Sequence, residues 1–380
     1  MSEWKEYKFS DFVNINPSIK LPKDNPISFV EMKNLDSSLR YCESEQTKIL
    51  SGGSRFMNGD TLFARITPCL ENGKICQVRN LQDGIGFGST EFHVFRGVEG
   101  ISDTNFVYYL SRYEEVRSHA ENNMEGSSGR QRVPKEAFDN LLISLPPLSE
   151  QKRIASILSS LDDKIDLLHR ENKTLEAMAE TLFRQWFIEK AKEDWEEVPL
   201  TKIANFLNGL PCQKYPPKNN IEKLPVLKIR ELSNGIGKDC DWATTDIANE
   251  YIVSNGDVIF AWSASLMVKI WNGENCILNQ HLFKVTSDKY PKWFYYFWCK
   301  YHLDEFITIA QSHATTMGHI KRKDLENAMV LVPTSNELKT MSKQIESLLQ
   351  KIENNNNEIK TLTQTRDSLL PKLMSGEIKV

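Results

Sequence analysis

The sequence predicts an α+β protein that contains two pseudo-symmetric α/β domains and two long coiled-coil helices. A helical heptad pattern between Glu150 and Phe187 returns 187 residues later, between Glu337 and Met374. A globular segment of similar length precedes each pattern, and short motifs recur at matching places in the two segments. Such an internal duplication indicates one architecture used twice.

The two helical segments carry apolar residues in alternating steps of four and three. The first stripe consists of Ile154, Leu158, Leu161, Ile165, Leu168, Leu175, Ala179, Leu182 and Trp186. The second consists of Met341, Ile345, Leu348, Ile352, Ile359, Leu362, Leu369 and Leu373. Asn172 interrupts the first stripe, whereas Asn355 and Arg366 interrupt the second. An alternation sustained over this length is typical of a coiled-coil seam.

The two globular segments share three motifs. In pairs, the motifs are Trp4-Lys5-Glu6 with Trp195-Glu196-Glu197, Asn58-Gly59-Asp60 with Asn255-Gly256-Asp257, and residues 140–146 with residues 327–333. The last motif is a short apolar strand that a proline closes before the helix begins. The sequence between the motifs differs freely, which suits two recognition surfaces of one architecture and different specificity.

Local patterns predict the same order of elements in both segments. Strands are expected near residues 27–32, 61–66, 74–78 and 90–96, followed by a helix over 103–121. The second segment is expected to have strands near 225–230, 257–262, 267–271 and 280–286, followed by a helix over 291–309. The aromatic residues of that helix have helical spacing, which favours a buried face over a base-stacking platform. They are Trp293, Phe294, Phe297, Trp298 and Phe306.

Composition narrows the class of protein. The 380 residues suffice for two domains, and no apolar run approaches transmembrane length. The polar start MSEWKEYKFS lacks the apolar region of a signal peptide, and the seven cysteines are scattered without a Cys-x-x-Cys pair. We therefore expect a cytoplasmic protein with reduced thiols and no membrane partner.

Charge argues against an autonomous nucleic-acid binder. Residues 1–148 carry 17 basic and 20 acidic side chains, and residues 195–335 carry 15 of each. Neither domain has the basic excess typical of such proteins. Binding to DNA would need a local basic patch, basic partner subunits, or both.

Motifs of common enzymes are absent from the sequence. Gly73-Lys74 and Gly237-Lys238 are not followed by Ser or Thr, so they do not form a phosphate-binding P-loop. The glycines of residues 84–88 lack dinucleotide-binding spacing and are interpreted as a flexible turn. No Asn/Asp-Pro-Pro-aromatic tetrapeptide of adenine methyltransferases occurs, and His313 and His319 are poorly spaced for a metal. The chain is predicted to be non-catalytic, without a metal site or a cofactor of its own.

Several segments of the sequence resemble those of a known protein family. Residues 145–187 are similar to the central helix of specificity subunits of type I restriction-modification systems. The segments FARITPCLENGK (63–74), GDVIFAW (256–262) and LNQHLFKV (278–285) resemble target recognition domains of that family, and KLMSGEI (372–378) resembles its carboxyl end. The resemblance covers essentially the whole chain.

The resemblance implies two target recognition domains, residues 1–148 and 191–335, separated by a central helix (149–190) and a distal helix (336–380) that pack antiparallel. Each domain would read one half of a split sequence in double-stranded DNA. The helices would act as a spacer and dock two modification (methyltransferase) subunits. Those partners would supply S-adenosylmethionine and methylate adenine, and restriction subunits would supply ATP- and Mg-dependent translocation and cleavage.

The DNA-binding candidates lie in polar loops. In the first domain, Arg and Asn side chains after the strand at 61–66 could reach bases or phosphates, although an ordinary solvated hairpin explains them equally well. The loop at 127–132 precedes a short helix near Pro134, whose first N–H groups suit phosphate. The first-domain candidates are Arg65, Thr67, Asn72, Lys74, Ser127, Ser128, Arg130, Gln131 and Arg132.

The second domain has a counterpart of the 127–132 loop between residues 312 and 323. Its candidates are Ser312, His313, Thr315, Thr316, His319, Lys321 and Arg322. Hydroxyl, glycine and basic residues coincide at equivalent places in both domains, which favours function. Ser263, Ser265, Asn279, Gln280 and His281 are weaker candidates, because Asn279 or His281 could simply satisfy buried backbone groups.

Two functions remain open from the sequence. The first is a DNA-reading subunit of a modification complex, and the second is a scaffold that joins protein partners through its helices without binding DNA. The duplicated loop favours the first, and the near-neutral domains favour the second.

The asparagines of the stripes predict the register of an antiparallel pair. With Asn172 opposite Asn355, every other seam residue meets a seam residue, including Leu161 opposite Arg366. A slip of one heptad would bury each asparagine against an apolar residue, at about 1–3 kcal/mol per unsatisfied group. We therefore predict contact between Asn172 and Asn355.

Overall fold

The structure is a computed structural model that describes residues 4–127, 129–237, 239–312 and 318–380. The chain forms two compact units: unit 1 comprises Met1–Arg170 and Asn357–Val380, and unit 2 comprises Glu171–Asn356. Each unit contains sheets and parts of both long helices. The fold class predicted from the sequence is confirmed.

Unit 1 contains two mixed sheets and a two-stranded pair. In spatial order, the five-stranded sheet consists of Val13–Ile15, Phe92–Gly97, Thr61–Ala64, Ile75–Val78 and Tyr41–Cys42. The four-stranded sheet consists of Gln46–Lys48, Ile27–Val30, Ile85–Gly88 and Ser54–Met57, and Lys5–Lys8 pairs antiparallel with Leu142–Leu145. The α-helices besides the long ones are Phe9–Phe12, Thr104–Arg112 and Glu114–Asn122, and the 3-10 helices are Met32–Asn34, Gln82–Gly84 and Lys135–Asn140.

Unit 2 repeats this plan with fewer strands in its first sheet. That sheet consists of Asn205–Asn208, Leu282–Thr286, Val258–Ala261 and Met267–Ile270. The other consists of Trp242–Thr244, Lys223–Leu227, Cys276–Leu278 and Ile252–Val253, and Glu196–Pro199 pairs with Met329–Val332. The shorter helices are Leu200–Ile203, Ile229–Asn234, Lys292–Tyr301, Leu303–Ser312 and Arg322–Asn327, with 3-10 helices Cys212–Lys214 and Asn249–Tyr251.

The shared sequence motifs make equivalent contacts in the two units. Trp4 donates its indole N–H to Glu150 at 3.4 Å, and Trp195 donates to Glu337 at 3.1 Å. Each acidic residue lies in the first turn of a long helix. The tryptophan that opens each globular segment therefore fastens it to the helix that follows.

The Asn-Gly-Asp motif builds the same turn twice. The Asp60 carboxylate accepts from the backbone N–H of Met57 at 2.8 Å, and the Asp257 carboxylate accepts from that of Ser254 at 2.8 Å. Each carboxylate also pairs with a cation of a neighbouring strand: Asp60 with Arg96 at 2.6 Å, and Asp257 with Lys284 at 2.8 Å. The motif fixes the start of the strand that leads to the candidate site.

The central helix, Leu148–Arg184, continues into a π-helical turn over Gln185–Glu189, and the distal helix is Ser335–Met374. In unit 1 their segments run antiparallel, with Ile154 and Leu158 in the same core as Leu373. In unit 2, Asn355 donates a hydrogen bond to the side-chain oxygen of Asn172 at 2.9 Å. Asn355 is buried and Asn172 also bonds to Asn356 at 2.8 Å, so both amides have polar partners in the seam.

The heptads place Arg366 opposite Leu161. Its guanidinium bonds to the residue next to Leu161, Asp162, at 2.7 Å, and both Arg366 and Asp162 are buried. Tyr109 donates its hydroxyl to the same carboxylate at 2.7 Å. Burial raises the pKa of Tyr109, so the phenol remains a donor.

Three local expectations need correction. The helix expected over 103–121 breaks at Tyr113, which has extended backbone angles, and the one over 291–309 is two helices on either side of His302. The glycine segment interpreted as a flexible turn contains the strand Ile85–Gly88, where a Cβ at Gly88 would lie 2.3 Å from the Val30 carbonyl oxygen. Glycine is required there by close backbone packing. The aromatic helix residues are buried, as expected.

We predict that Arg366→Met lowers the free energy of unfolding by about 3–5 kcal/mol, because Asp162 would stay buried without its cation. Urea unfolding measures this loss. The matched control is Lys164→Ala, which breaks the Lys164–Glu358 pair of the same helices, whose side chains are 43% and 46% exposed. That change should cost less than about 1 kcal/mol. Equal losses in the two variants would contradict the prediction.

Candidate DNA-recognition site

The first-domain candidates converge after the strand Thr61–Ala64. The backbone N–H of Arg65 donates to the Glu91 carbonyl at 3.0 Å, and the N–H of Val133 donates to the Arg65 carbonyl at 2.8 Å. One residue pair further on, the N–H of Thr67 donates to the Gln131 carbonyl at 3.0 Å. These bonds bring Arg65, Thr67, Gln131 and Arg132 together at one edge.

Unit 2 has the same backbone arrangement. Trp262 N–H donates to the His281 carbonyl at 3.3 Å, Ile320 N–H donates to the Trp262 carbonyl at 3.1 Å, and Ala264 N–H donates to the Gly318 carbonyl at 2.9 Å. Counting from these bonds, Trp262 corresponds to Arg65, His281 to Glu91, and His319 to Arg132. We call Arg65, Glu91 and Arg132 the edge triplet of unit 1, and Trp262, His281 and His319 the edge triplet of unit 2.

The edge triplet of unit 1 is charged. Arg132 pairs with Glu91 through its Nε at 2.9 Å and its Nη2 at 2.8 Å, with side chains 43% and 24% exposed. This bidentate pair raises the pKa of Arg132. Arg65 is half-buried, and its Nε has no hydrogen-bond partner among the described residues. The two arginines thus offer directional donors, and the carboxylate accepts, at a partly exposed edge.

The edge triplet of unit 2 is aromatic. The Trp262 ring lies 6.0 Å from the His281 ring and 6.2 Å from the His319 ring, measured between centroids. His281 Nδ1 lies 3.1 Å from the Ser263 hydroxyl, and the ring of Phe283 stacks on Trp262 at 5.6 Å. This edge offers ring faces and imidazole nitrogens in place of guanidinium groups.

A groove of about 850 Å³ adjoins the edge triplet of unit 2. Trp262 and Phe283 supply aromatic walls, and Asn208 accepts from the Trp262 indole N–H at 3.1 Å. Arg322 supplies a cation, Lys284 supplies a second one that pairs with Asp257 at 2.8 Å, and Glu250 supplies a carboxylate. Such a groove, with stacking surfaces and cations, fits the sugar-phosphate and base chemistry of a nucleic acid.

The remaining first-domain candidates differ in whether their side chains already have hydrogen-bond partners within the protein. Arg130 and Asn72 are exposed, and the structure gives neither side chain a polar partner among the described residues. Lys74 donates to the Met32 carbonyl at 2.9 Å, and the Thr67 hydroxyl accepts from the Gln131 N–H at 3.1 Å. Both side chains are therefore engaged in hydrogen bonds within the protein. Ser127 is exposed and Ser128 lies outside the described residues. The helix expected near Pro134 is the six-residue 3-10 helix Lys135–Asn140, too short for a strong dipole.

The remaining second-domain candidates also divide. Asn279 is buried and its side-chain oxygen accepts from the His281 N–H at 3.4 Å, which supports the structural alternative for this residue. Gln280 lies 3.3 Å from the His281 ring, and Ser265 is exposed. Ser312 bonds to the Ile309 carbonyl at 2.7 Å, whereas Lys321 and Arg322 are exposed. The candidates His313, Thr315 and Thr316 lie outside the described residues.

Sequence reasoning missed Glu91 and Trp262 as members of the site. Glu91 lies one residue before a strand, and Trp262 ends an apolar segment, so neither stands in a polar loop. An alignment of the two halves of the sequence could have found them, because Glu91 corresponds to the candidate His281 and Trp262 corresponds to the candidate Arg65. Which side chains lie at the edge is decided by strand pairing, and the composition of a segment does not show it.

His93 is a buried residue that contacts the segment carrying Arg132 in the edge triplet of unit 1. The ring is buried, with Nε2 2.9 Å from the Val133 carbonyl and Nδ1 3.2 Å from the Asn16 amide nitrogen. Asn16 presents its oxygen to the Val94 N–H at 2.9 Å, so its amide nitrogen faces the ring and Nδ1 must accept. The imidazole is therefore neutral, and burial lowers its pKa to about 4.

Comparison with known proteins identifies the family. A model of the type I restriction modification DNA specificity domain matches residues 1–177 and 192–364. The EcoEI specificity subunit of Escherichia coli is 30% identical over 208 residues, which cover 51% of this chain and 35% of that protein. The MjaVIII specificity subunit of Methanocaldococcus jannaschii is 27% identical over 313 residues, 74% of this chain and 71% of that protein.

A solved structure shares the fold. The S subunit of a type I restriction-modification system from M. genitalium superposes with a TM-score of 0.53 at 15% identity, over 98% of this chain and 96% of that chain. The alignments with the first Escherichia coli relatives, EcoEI and EcoAI, span only 35% of each relative. No helix among the described residues is long and apolar enough to cross a membrane. The family model covers most of the sequence, so the chain belongs to the type I restriction-modification DNA specificity family.

We predict that His93 makes stability depend on pH. Its pKa of about 4 in the folded protein lies below the ordinary value of 6.5, so the unfolded chain binds the proton first. The contribution to stability is complete above about pH 6.5 and is lost as the pH falls towards 4, to a maximum of about 3 kcal/mol. Urea unfolding of His93→Gln should lack this loss, and the half-exposed His119→Gln should retain it. An identical pH dependence in wild type and His93→Gln would refute the assignment.

Proposed function

We propose that this chain reads a bipartite sequence in double-stranded DNA, with each unit contacting one half-site through its edge triplet. One observation carries the proposal. The same three positions, held by the same backbone hydrogen bonds, carry Arg, Glu and Arg in unit 1 and Trp, His and His in unit 2. A retained backbone with different exposed side chains suits one binding mode directed at two different sequences.

Basic residues beside each triplet suit the DNA backbone. Arg130 is exposed next to the triplet of unit 1, and Lys321, Arg322 and Lys323 are exposed after His319 in unit 2. Cations without an internal counterion attract phosphates and release condensed ions, whatever the sequence. In this arrangement the basic residues position the DNA and the triplets read it.

The proposal extends to partners. The near-balance of charge in each domain means that this chain supplies little general attraction for DNA, so further subunits are needed to enclose it. Family membership suggests two modification (methyltransferase) subunits that carry S-adenosylmethionine, and restriction subunits that use ATP and Mg. In this scheme the present chain supplies recognition and assembly, and the chemistry belongs to its partners.

The decisive experiment is methylation mapping. The chain would be co-expressed with the methyltransferase subunits of its own system in a host without adenine methylation, and the methylated adenines would be sequenced. The expected result is one motif with two half-sites separated by an unread gap. Fluorescence anisotropy with duplexes of that motif should then show specific binding. Co-purification with the partners, but without a motif and without binding to any duplex, would instead support the non-DNA scaffold.

We predict that Arg130→Ala weakens binding to cognate and unrelated duplexes alike, because a phosphate contact carries no sequence information. The slope of log K against log salt should become shallower by about 1. The control is Arg55→Ala, an exposed arginine of the same unit that bonds to the Ile19 carbonyl at 3.2 Å, and it should leave both quantities unchanged. A change of the methylated motif in Arg130→Ala, with its salt slope unaltered, would contradict the phosphate assignment.

A further inference from the structure

The guanidinium of Arg132 is held in a fixed orientation but still has N–H groups available to donate. Nε and Nη2 bond to the Glu91 carboxylate, and Nη1 lies 3.3 Å from the Arg130 carbonyl oxygen. These contacts take three of the five N–H groups of an arginine side chain. Each of the two terminal nitrogens therefore keeps one N–H, and the side chain is 43% exposed.

The backbone beneath Arg132 is also fixed. Its N–H donates to the Glu125 carbonyl at 2.8 Å, and the Glu125 N–H donates to the Arg132 carbonyl at 2.9 Å. The next residue, Val133, is bonded on both sides, through its N–H to Arg65 and through its carbonyl to His93. The remaining donors of Arg132 are thus presented with little loss of conformational freedom on binding.

The pairing with Glu91 distinguishes Arg132 from a phosphate contact. A carboxylate at 2.8 Å cancels the net charge of the guanidinium and repels an approaching phosphate. A neutral acceptor carries no net charge for the carboxylate to repel, so the remaining N–H groups can still donate to it. Two N–H donors on neighbouring nitrogens match the O6 and N7 acceptors of guanine in the major groove. Arg130, which is exposed and has no such carboxylate partner among the described residues, is the better phosphate contact.

We propose that Arg132 reads a guanine in the half-site of unit 1, and that Glu91 is a positioning residue that orients the guanidinium. The inference rests on the proposed function, since it names the base and the residue within that reading. It adds a specificity-determining pair, Arg132 and Glu91, whose two charges cancel.

The equivalent positions of unit 2 limit the effect to one half-site. His319 stands in place of Arg132 and His281 in place of Glu91, so unit 2 presents neither a guanidinium fork nor a carboxylate there. A change at Arg132 should alter one half of the motif and leave the other half intact. The unaltered half also reports that the complex remains folded and assembled.

The test is methylation mapping of the complete complex with Arg132→Lys. Lysine keeps the cation and can still pair with Glu91, but it loses the two-pronged donor set. We expect one guanine of one half-site, on either strand, to become degenerate, with the other half-site unchanged. In anisotropy titrations, discrimination between the cognate duplex and one with that guanine replaced should fall by about 5- to 150-fold. Glu91→Gln should weaken discrimination at the same position and at no other.

A swap separates reading from a structural role. Arg132→Glu combined with Glu91→Arg preserves an ion pair between the two segments but transfers the guanidinium from position 132 to position 91. If the pair only stabilises the loop, the swap restores the original motif and the inference is wrong. Retention of every base in Arg132→Lys, a uniform loss of affinity for all duplexes, or complete loss of methylation in that variant would each overturn it. Absence of any bipartite motif for the wild-type complex would instead refute the proposed function, so the two failures are distinguishable.

Discussion

The proposed recognition edge depends on backbone hydrogen bonds that join three separate segments in each unit. In unit 1, Arg65 is joined to Glu91 on one side and to Val133 on the other, and in unit 2 Trp262 is joined to His281 and Ile320 in the same way. Backbone N–H and C=O groups are common to nearly all residues, so this arrangement places no demand on the side chains above it. The side chains can therefore differ between the units without any change of fold.

The long helices show how polar groups in an apolar seam fix its pairing. Asn355 donates to the side-chain oxygen of Asn172, Asn172 donates in turn to Asn356, and Arg366 donates to the Asp162 carboxylate, so each polar interruption has a polar partner in the observed alignment. A buried ion pair contributes little net stability compared with an apolar pair, because desolvation offsets the attraction. Its larger effect is to penalise other alignments, in which a charge or an amide would be buried alone.

Much of the fold could be predicted from the sequence, since it is written in periodic patterns. The heptads fix the extent of the helices to within a few residues, and apolar runs place the strands Thr61–Ala64 and Val258–Ala261 correctly. The partner of Arg366 could not be predicted in this way, because Asp162 lies outside the apolar stripe and side-chain reach decides the contact. Glu91 and Trp262 were missed for a related reason: strand pairing, and not chain position, brings them to the edge. Residues already in polar loops, such as Arg130, were visible to sequence reasoning, although their role as positioning or reading groups depends on neighbours distant in the chain.

The ion pair between Arg132 and Glu91 has a consequence for how such a protein searches a genome. A cation that carries its own carboxylate releases no condensed counterions when it meets DNA, so it adds nothing to the hold on unrelated sequence. With the role proposed for Arg132, the protein would dissociate quickly from unrelated sites, and the residue would contribute affinity only where the matching acceptors are present. The near-neutral composition of the domain is then compatible with selective recognition, because residence on random DNA and affinity for the target are set by different side chains.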